Sequence, residues 1–270
     1  MSKSNTLKVL LLPFPSFDTL DLYAPIEVLG KGAATGGLNI IFEIATVQQP
    51  TLSAEKIPVY PTRTITEALR NIDEYEIVIQ PGAGIPEIEK YLGDLRTNGL
   101  HLELLKCFSE LKTPSPRGCQ RVLMSICTGA LIVGYSGAFS HLTVTTHYEG
   151  LDKLIQFCEL RGRGTTVVPD IRGSLTNGEF PVDGKVSEIE QRAWDGYKLG
   201  QKQNKRWVDA GCNESGVRVI SSGGISCGID ASLFLVSELE KWEENGQCRK
   251  LGIEQAHLGA RIMEYAWRWA

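Results

Sequence analysis

The sequence predicts an α/β fold in which a mainly parallel central sheet is covered by helices on both sides. Three observations carry this expectation: apolar runs rich in β-branched residues recur along the chain, segments of helical period separate them, and several of the runs end abruptly in glycine-bearing turns. The runs are Leu7 to Leu12, Ile40 to Val47, Glu76 to Gln80, Val122 to Ile126, Leu142 to Thr146, Thr165 to Val168 and Val217 to Ser221. Each is short and reads as a strand. Between them, Leu100, Leu104, Cys107, Phe108 and Leu111 share one helical face, and Ile229, Leu233, Val236 and Leu239 share another.

With 270 residues and 42% hydrophobic content the chain can bury a large core, and we expect one domain spanning 1–270. The segment from about Asp170 to Ser215 breaks the alternation. It is polar and glycine-bearing, with Trp194, Tyr197 and Trp207 as its large apolar anchors, and it reads as an insertion, either a lid or a surface embellishment, with a helix expected around Glu188 to Leu199. The stretch from about Cys248 to Ala270 places Ile253, Ala256, Ala260, Met263 and Trp267 at helical spacing and predicts a closing helix or subunit contact.

Composition excludes several classes. A net charge of -4 with no basic run offers nothing for a nucleic-acid backbone to bind. Leu7 to Phe14 is too short for a membrane span, and Pro13 and Pro15 do not suit a signal peptide. The seven cysteines (107, 119, 127, 158, 212, 227 and 248) are odd in number and never in a CxxC pair, which argues for a reducing, cytoplasmic compartment and against a disulfide framework or a structural zinc. No cluster has metal-ligand spacing along the sequence.

The segment Val122-Leu123-Met124-Ser125-Ile126-Cys127-Thr128-Gly129-Ala130 carries the chemistry: a buried strand ends at a cysteine and a small-residue helix follows at once. Ligands of open α/β sheets bind beyond the carboxyl ends of strands. A thiol there also faces a helix amino terminus, whose dipole and free amides favour the thiolate. Cys127 is therefore the candidate nucleophile, with Thr128 and Gly129 small enough to let amides face a developing charge; the alternative is a buried cysteine acting as a small hydrophobe. The turn Pro81-Gly82-Ala83-Gly84 ends another strand, and the amides of Gly82 and Ala83 are candidate oxyanion donors unless the turn is a plain connection. Ser222-Gly223-Gly224-Ile225-Ser226-Cys227-Gly228 is a similar turn, open to either reading. Asp21, in Leu20-Asp21-Leu22-Tyr23-Ala24-Pro25, is a candidate general acid or else a helix N-cap, with Asp18 and Glu27 as competitors for the acid role. His147, in Thr145-Thr146-His147, is a candidate base or pocket residue, or a satisfied histidine near a strand end.

Taken in order, these pieces resemble the ThiJ/PfpI superfamily, a glutamine-amidotransferase-like group with a flavodoxin-like three-layer α/β/α sandwich and a nucleophile-elbow cysteine. The likeness covers most of the chain. Within it, Cys127-Thr128-Gly129, Leu20-Asp21-Leu22, Thr145-Thr146-His147 and Gly223-Gly224-Ile225 before Gly228-Ile229-Asp230 look most like the isonitrile hydratase branch. That resemblance implies that Cys127 attacks an isonitrile carbon, that Asp21 supplies a proton, and that a thioimidate is hydrolysed to an N-substituted formamide. It implies no cofactor, a small-molecule substrate and a homodimer. The chain departs from the family at Ala83, where a second glycine is usual, in the long 170–215 insertion, and in the connection Pro114 to Gln120. Rival functions on the same scaffold are a glyoxalase-type or deglycase-type enzyme, a tailoring enzyme of secondary metabolism, and a cysteine redox sensor without turnover. Some transcription regulators use this fold as a ligand-sensing half; no DNA-binding domain is expected, because the sequence ends soon after the last sandwich helix.

Overall fold

The computed structural model describes residues 4–112, 114–168 and 206–267. Among them the strands are β1 (Thr6–Leu11), β2 (Asn39–Thr46), β3 (Thr51–Leu52), β4 (Pro58–Val59), β5 (Arg63–Thr64), β6 (Ile77–Gln80), β7 (Val122–Ser125), β8 (Thr143–Val144), β9 (Thr166–Val167), β10 (Trp207–Cys212), β11 (Arg218–Ser222), β12 (Glu240–Trp242) and β13 (Cys248–Lys250). The helices are α1 (Thr19–Thr35), α2 (Ile65–Arg70), α3 (Ile85–Gly93), α4 (Leu95–Ser109), α5 (Gly129–Ser136), α6 (Leu151–Arg161), α7 (Ile225–Glu238) and α8 (Ile253–Ile262).

One seven-stranded sheet runs in the order β10-β11-β7-β6-β1-β2-β5, and every neighbouring pair in it is parallel except β10 with β11. β6 and β7 are buried along their whole length, which is why they read as continuous apolar runs rather than alternating ones. Helices α1, α7 and α8 pack together, and α4 and α5 join α2, α3 and α6 in a second group, so the sheet is covered on both sides. No described helix is long and apolar enough to cross a membrane.

The order of strands fixes where a ligand can sit. From β1 the chain winds to β2 on one side and to β6, β7 and β11 on the other, so the order reverses between β1 and β6, and ligands of such sheets bind beyond the carboxyl ends near that reversal. Here the loops leaving β1 and β6 are joined by the Asp18 amide donating to the Gly82 carbonyl at 2.9 Å. The sequence expectation departs from the structure in three places. The runs at 142–146 and 165–168 are not in the central sheet; β8 and β9 pair with each other, because β11 occupies the place beside β7. The end of the presumed insertion is sheet instead, since Trp207–Cys212 forms an edge strand; the expected helix near Glu188 to Leu199, with Trp194 and Tyr197, lies outside the described residues. The closing helix is shorter than its periodicity suggests, because Cys248–Lys250 pairs with β12 in a hairpin and only Ile253–Ile262 is helical.

Candidate active site

Cys127 sits between β7 and α5 with φ 55°, a left-handed conformation that costs a non-glycine residue about 1–2 kcal/mol. The turn is over-determined by its neighbours. Cys127 N–H donates to the Gly223 carbonyl (3.0 Å) at the end of β11, and its own carbonyl accepts from the Thr146 hydroxyl (2.9 Å). Thr128 Oγ1 accepts from the Ala83 amide (2.9 Å) and donates back to the Ala83 carbonyl, clasping the loop after β6. That clasp needs two glycines. A Cβ on Gly82 would lie 2.8 Å from the Thr128 and Gly129 nitrogens, and one on Gly129 would lie 2.4 Å from the Gln80 carbonyl oxygen and 2.7 Å from that of Pro81. The obstacles are backbone, so neither can move cheaply. Gly129→Ala is accordingly expected to cost about 2–3 kcal/mol, read as a lower urea midpoint at unchanged m-value; a loss under 0.5 kcal/mol would show that the two loops are less tightly apposed.

Asp21 comes from α1 and crosses to the same point. The helix begins at Thr19 with Asp18 as its N-cap, so Asp21 lies in the first turn and is not the cap; its Oδ2 instead accepts from the Gly82 amide at 3.0 Å, while Oδ1 is buried without a partner. Oxygens of Asp18 and Asp21 and the Cys127 sulfur all lie within 4.8 Å of one another. Glu27 is removed from the contest: it faces outward beside Lys31, on the exposed side of α1.

Electrostatics overturn the expected thiolate. Cys127 is only 4% exposed, and its thiol is held well above the usual range by burial first and by the neighbouring Asp21 second, with the Thr128 amide and hydroxyl pulling the other way. Burial likewise raises the Asp21 carboxyl to about 7, despite the Gly82 hydrogen bond that opposes it. Asp18 is raised too, by burial and then by Glu55 and Glu87. The helix dipole thus loses to desolvation, and the resting pair at neutral pH is a protonated thiol beside a carboxyl poised at half-protonation.

The expected oxyanion donors are differently placed. Gly82 N–H serves Asp21, Ala83 N–H serves Thr128, and Gly129 N–H serves the Ile126 carbonyl, which leaves the Thr128 amide as the one facing the sulfur. His147 lies against Gly224, where a Cβ would meet its ring at 2.8 Å; its Nδ1 accepts from the Glu149 amide (3.4 Å), and burial lowers its pKa, so it is neutral. From the motif Thr145-Thr146-His147 it is Thr146, not the histidine, that touches Cys127.

Sequence reasoning passed over a buried relay behind the site. His101 Nε2 meets Gln80 Oε1 at 2.6 Å and its Nδ1 meets the Tyr91 hydroxyl at 2.8 Å, while Gln80 Nε2 donates to the Pro81 (2.9 Å) and Leu12 (3.3 Å) carbonyls. Gln80 Oε1 can only accept, so His101 carries its proton on Nε2 and accepts from Tyr91 at Nδ1. Burial drives its pKa to about 3 and keeps it neutral. The relay fixes the strand end from which Gly82 projects. Its signal, a polar residue closing an apolar strand, was visible at Gln80 only. Among the described residues two clusters have the spacing to hold a cation, Asp18, Asp21 and Cys127, and Cys119, Glu240 and Cys248; each is assembled from separate segments, which is why no linear spacing announced it.

A strand, a left-handed cysteine turn and a helix, one strand from the point where the order of a doubly wound sheet reverses, define a class of α/β proteins with a thiol at the carboxyl edge. No protein-family model matches the chain, and no curated protein matches it in sequence. Solved structures do. A ThiJ/PfpI family protein from Pseudomonas syringae is similar at TM-score 0.61 and 17% identity, covering 97% of this chain and 76% of that one. Drosophila melanogaster DJ-1beta is similar at TM-score 0.60 and 12% identity, over 97% of this chain and 100% of that one. An AraC family transcriptional regulator from Pseudomonas putida is similar at TM-score 0.52 and 13% identity, over 95% and 99%. The fold is that of the ThiJ/PfpI superfamily.

Proposed function

We propose that this chain is a Cys127-dependent hydratase that acts on a small electrophilic carbon, with an isonitrile as substrate and an N-substituted formamide as product. One observation carries the reading: the Cys127 sulfur and the partnerless Asp21 Oδ1 share a buried site, where burial favours a protonated thiol and raises the Asp21 carboxyl to about 7. An isonitrile carbon must gain both a nucleophile and a proton, and this pair supplies both. Asp21 delivers its proton to the carbon as the Cys127 sulfur bonds to it, and the thiol proton passes to the Asp21 carboxylate, giving a thioimidate. Water then adds its oxygen to that carbon while one of its protons goes to the nitrogen. As the new hydroxyl becomes the carbonyl the C–S bond breaks, and the second water proton returns to the sulfur as the formamide leaves. The Thr128 amide supports the sulfur as its charge changes.

Apolar side chains favour a substrate with an apolar substituent. Leu20, Tyr23, Tyr148 and Ile225 are each at least 40% exposed, and they belong to segments that start at the same end of the sheet as Cys127. We infer a cytoplasmic homodimer that needs no cofactor. The test is incubation of the full chain with an aryl isonitrile and, separately, with methylglyoxal, with Cys127→Ala in parallel. Formamide appearing only with the intact cysteine supports the hydratase; consumption of the aldehyde alone makes the chain a glyoxalase-type enzyme instead.

A further inference from the structure

At the amino ends of the strands, opposite Cys127, the loop entering β7 meets the β12–β13 hairpin. Cys119 Sγ and Cys248 Sγ lie 3.9 Å apart there, and a Glu240 carboxylate oxygen is in the same cluster. Their approach is built rather than incidental. Trp242, which pairs with Cys248 across the hairpin, donates its indole N–H to the Arg117 carbonyl at 2.9 Å. The Arg117 guanidinium donates to the Glu240 and Ser4 carbonyls, and the Gln120 amide donates to Glu240 Oε2 at 3.2 Å. Three contacts between two segments more than a hundred residues apart, with Arg117 also anchored to Ser4, thus hold one sulfur over the other.

We propose that Cys119 and Cys248 are the site of a reversible intramolecular disulfide formed by a small hydroperoxide, and that this pair reacts before Cys127. Access decides the order: Cys248 is exposed, whereas Cys127 is 4% exposed. The Cys248 thiolate attacks the outer peroxide oxygen, the O–O bond breaks, and the departing oxygen takes a proton as water or alcohol, leaving Cys248 as a sulfenic acid. The Cys119 sulfur then attacks the Cys248 sulfur, the S–O bond breaks, and hydroxide leaves with the Cys119 proton as water. Two thiols give two electrons to one peroxide. Burial pushes the Cys119 thiol up to about 12, with Arg117 opposing, which leaves the exposed Cys248 as the sulfur that meets the peroxide. The sulfurs must close by about 2 Å to bond, a movement that rotation of Cys248 on a short exposed hairpin can supply. The link would join segments 129 residues apart and pin the α7–α8 connection to the sheet.

Reduced full chain, freed of metal by chelator, is treated at neutral pH with a few equivalents of hydrogen peroxide, alkylated and mapped by mass spectrometry. The expected result is a 119–248 linked peptide, reversed by dithiothreitol, with thermal unfolding raised by roughly 5 °C or more and Cys127 intact. Cys248→Ser and, separately, Cys119→Ser should each abolish both the link and the thermal shift. Oxidation of Cys127 or of exposed Cys212 ahead of the pair, links between chains, or no link at all would overturn the proposal. So would stoichiometric zinc on the protein as purified that leaves both thiols unreactive, since the cluster would then be a metal site.

Discussion

Asp21→Asn is expected to lower kcat for isonitrile hydration by roughly 10²- to 10⁴-fold, because the amide keeps the Gly82 hydrogen bond but cannot donate a proton to carbon. The variant isolates chemistry from structure: Asn is the same size, and its side-chain oxygen can still accept from Gly82. Adding Cys127→Ala should lower the rate little further, since the thiol and the acid act in one step and their losses do not add. The wild-type kcat/KM should be flat on the acid side and fall as pH rises through about 7, where Asp21 gives up its proton. A rate that instead climbs through pH 8 would mean that a thiolate is the working form and that Asp21 is not the acid. Equal activity in Asp21→Asn would remove the carboxyl from the mechanism altogether and direct attention to Asp18.

How much of this was legible in the sequence depends on what fixes each feature. Strands β1, β6, β7 and β11 announced themselves because burial of most of their length demands apolar, β-branched runs; β2, only partly buried, was readable from its own isoleucines and phenylalanine. β10 did not: it is an edge strand with Asp209 and Gly211 inside it and a register shift between Asp209 and Cys212, so it lacks the composition of a central strand. The hairpin carrying Cys248 is short, charged and exposed, and it was absorbed into a helical period that Ile253 only later begins. At the site, the strand-to-helix cysteine and its glycines were readable as a turn. The protonation state of the thiol was not, because it follows from how closely the loops after β1, β6 and β7 pack, and that closeness depends on Gly82 and Gly129 meeting backbone from distant segments. Asp21 likewise differed from an N-cap by less than one helical turn, a distinction that hydrophobic period cannot resolve.

The same packing predicts a large, pH-dependent cost to stability that Asp21→Asn should relieve. Unfolded, Asp21 titrates near 3.8; folded, it titrates at about 7. Between those values the folded chain holds a proton that the unfolded chain has released, so this group's contribution to stability declines as pH rises and is fully unfavourable above about pH 7. A displacement of about three pH units is worth about 4 kcal/mol. Other groups bend the curve the opposite way: Glu43, Asp209 and Glu238 are lowered and stabilise the fold above their unfolded values, and His101, held neutral, costs stability as pH falls below 6.5. These are common to wild type and variant and cancel in the difference. Urea unfolding at pH 4.5, 6 and 8 should therefore show Asp21→Asn gaining on the wild type progressively, from about 1 kcal/mol to about 4 kcal/mol. A gain independent of pH would place the ionisation elsewhere and detach the candidate acid from its raised pKa. A gain that grows with pH, in a variant that has lost turnover, is what a site that trades fold stability for a poised proton must show.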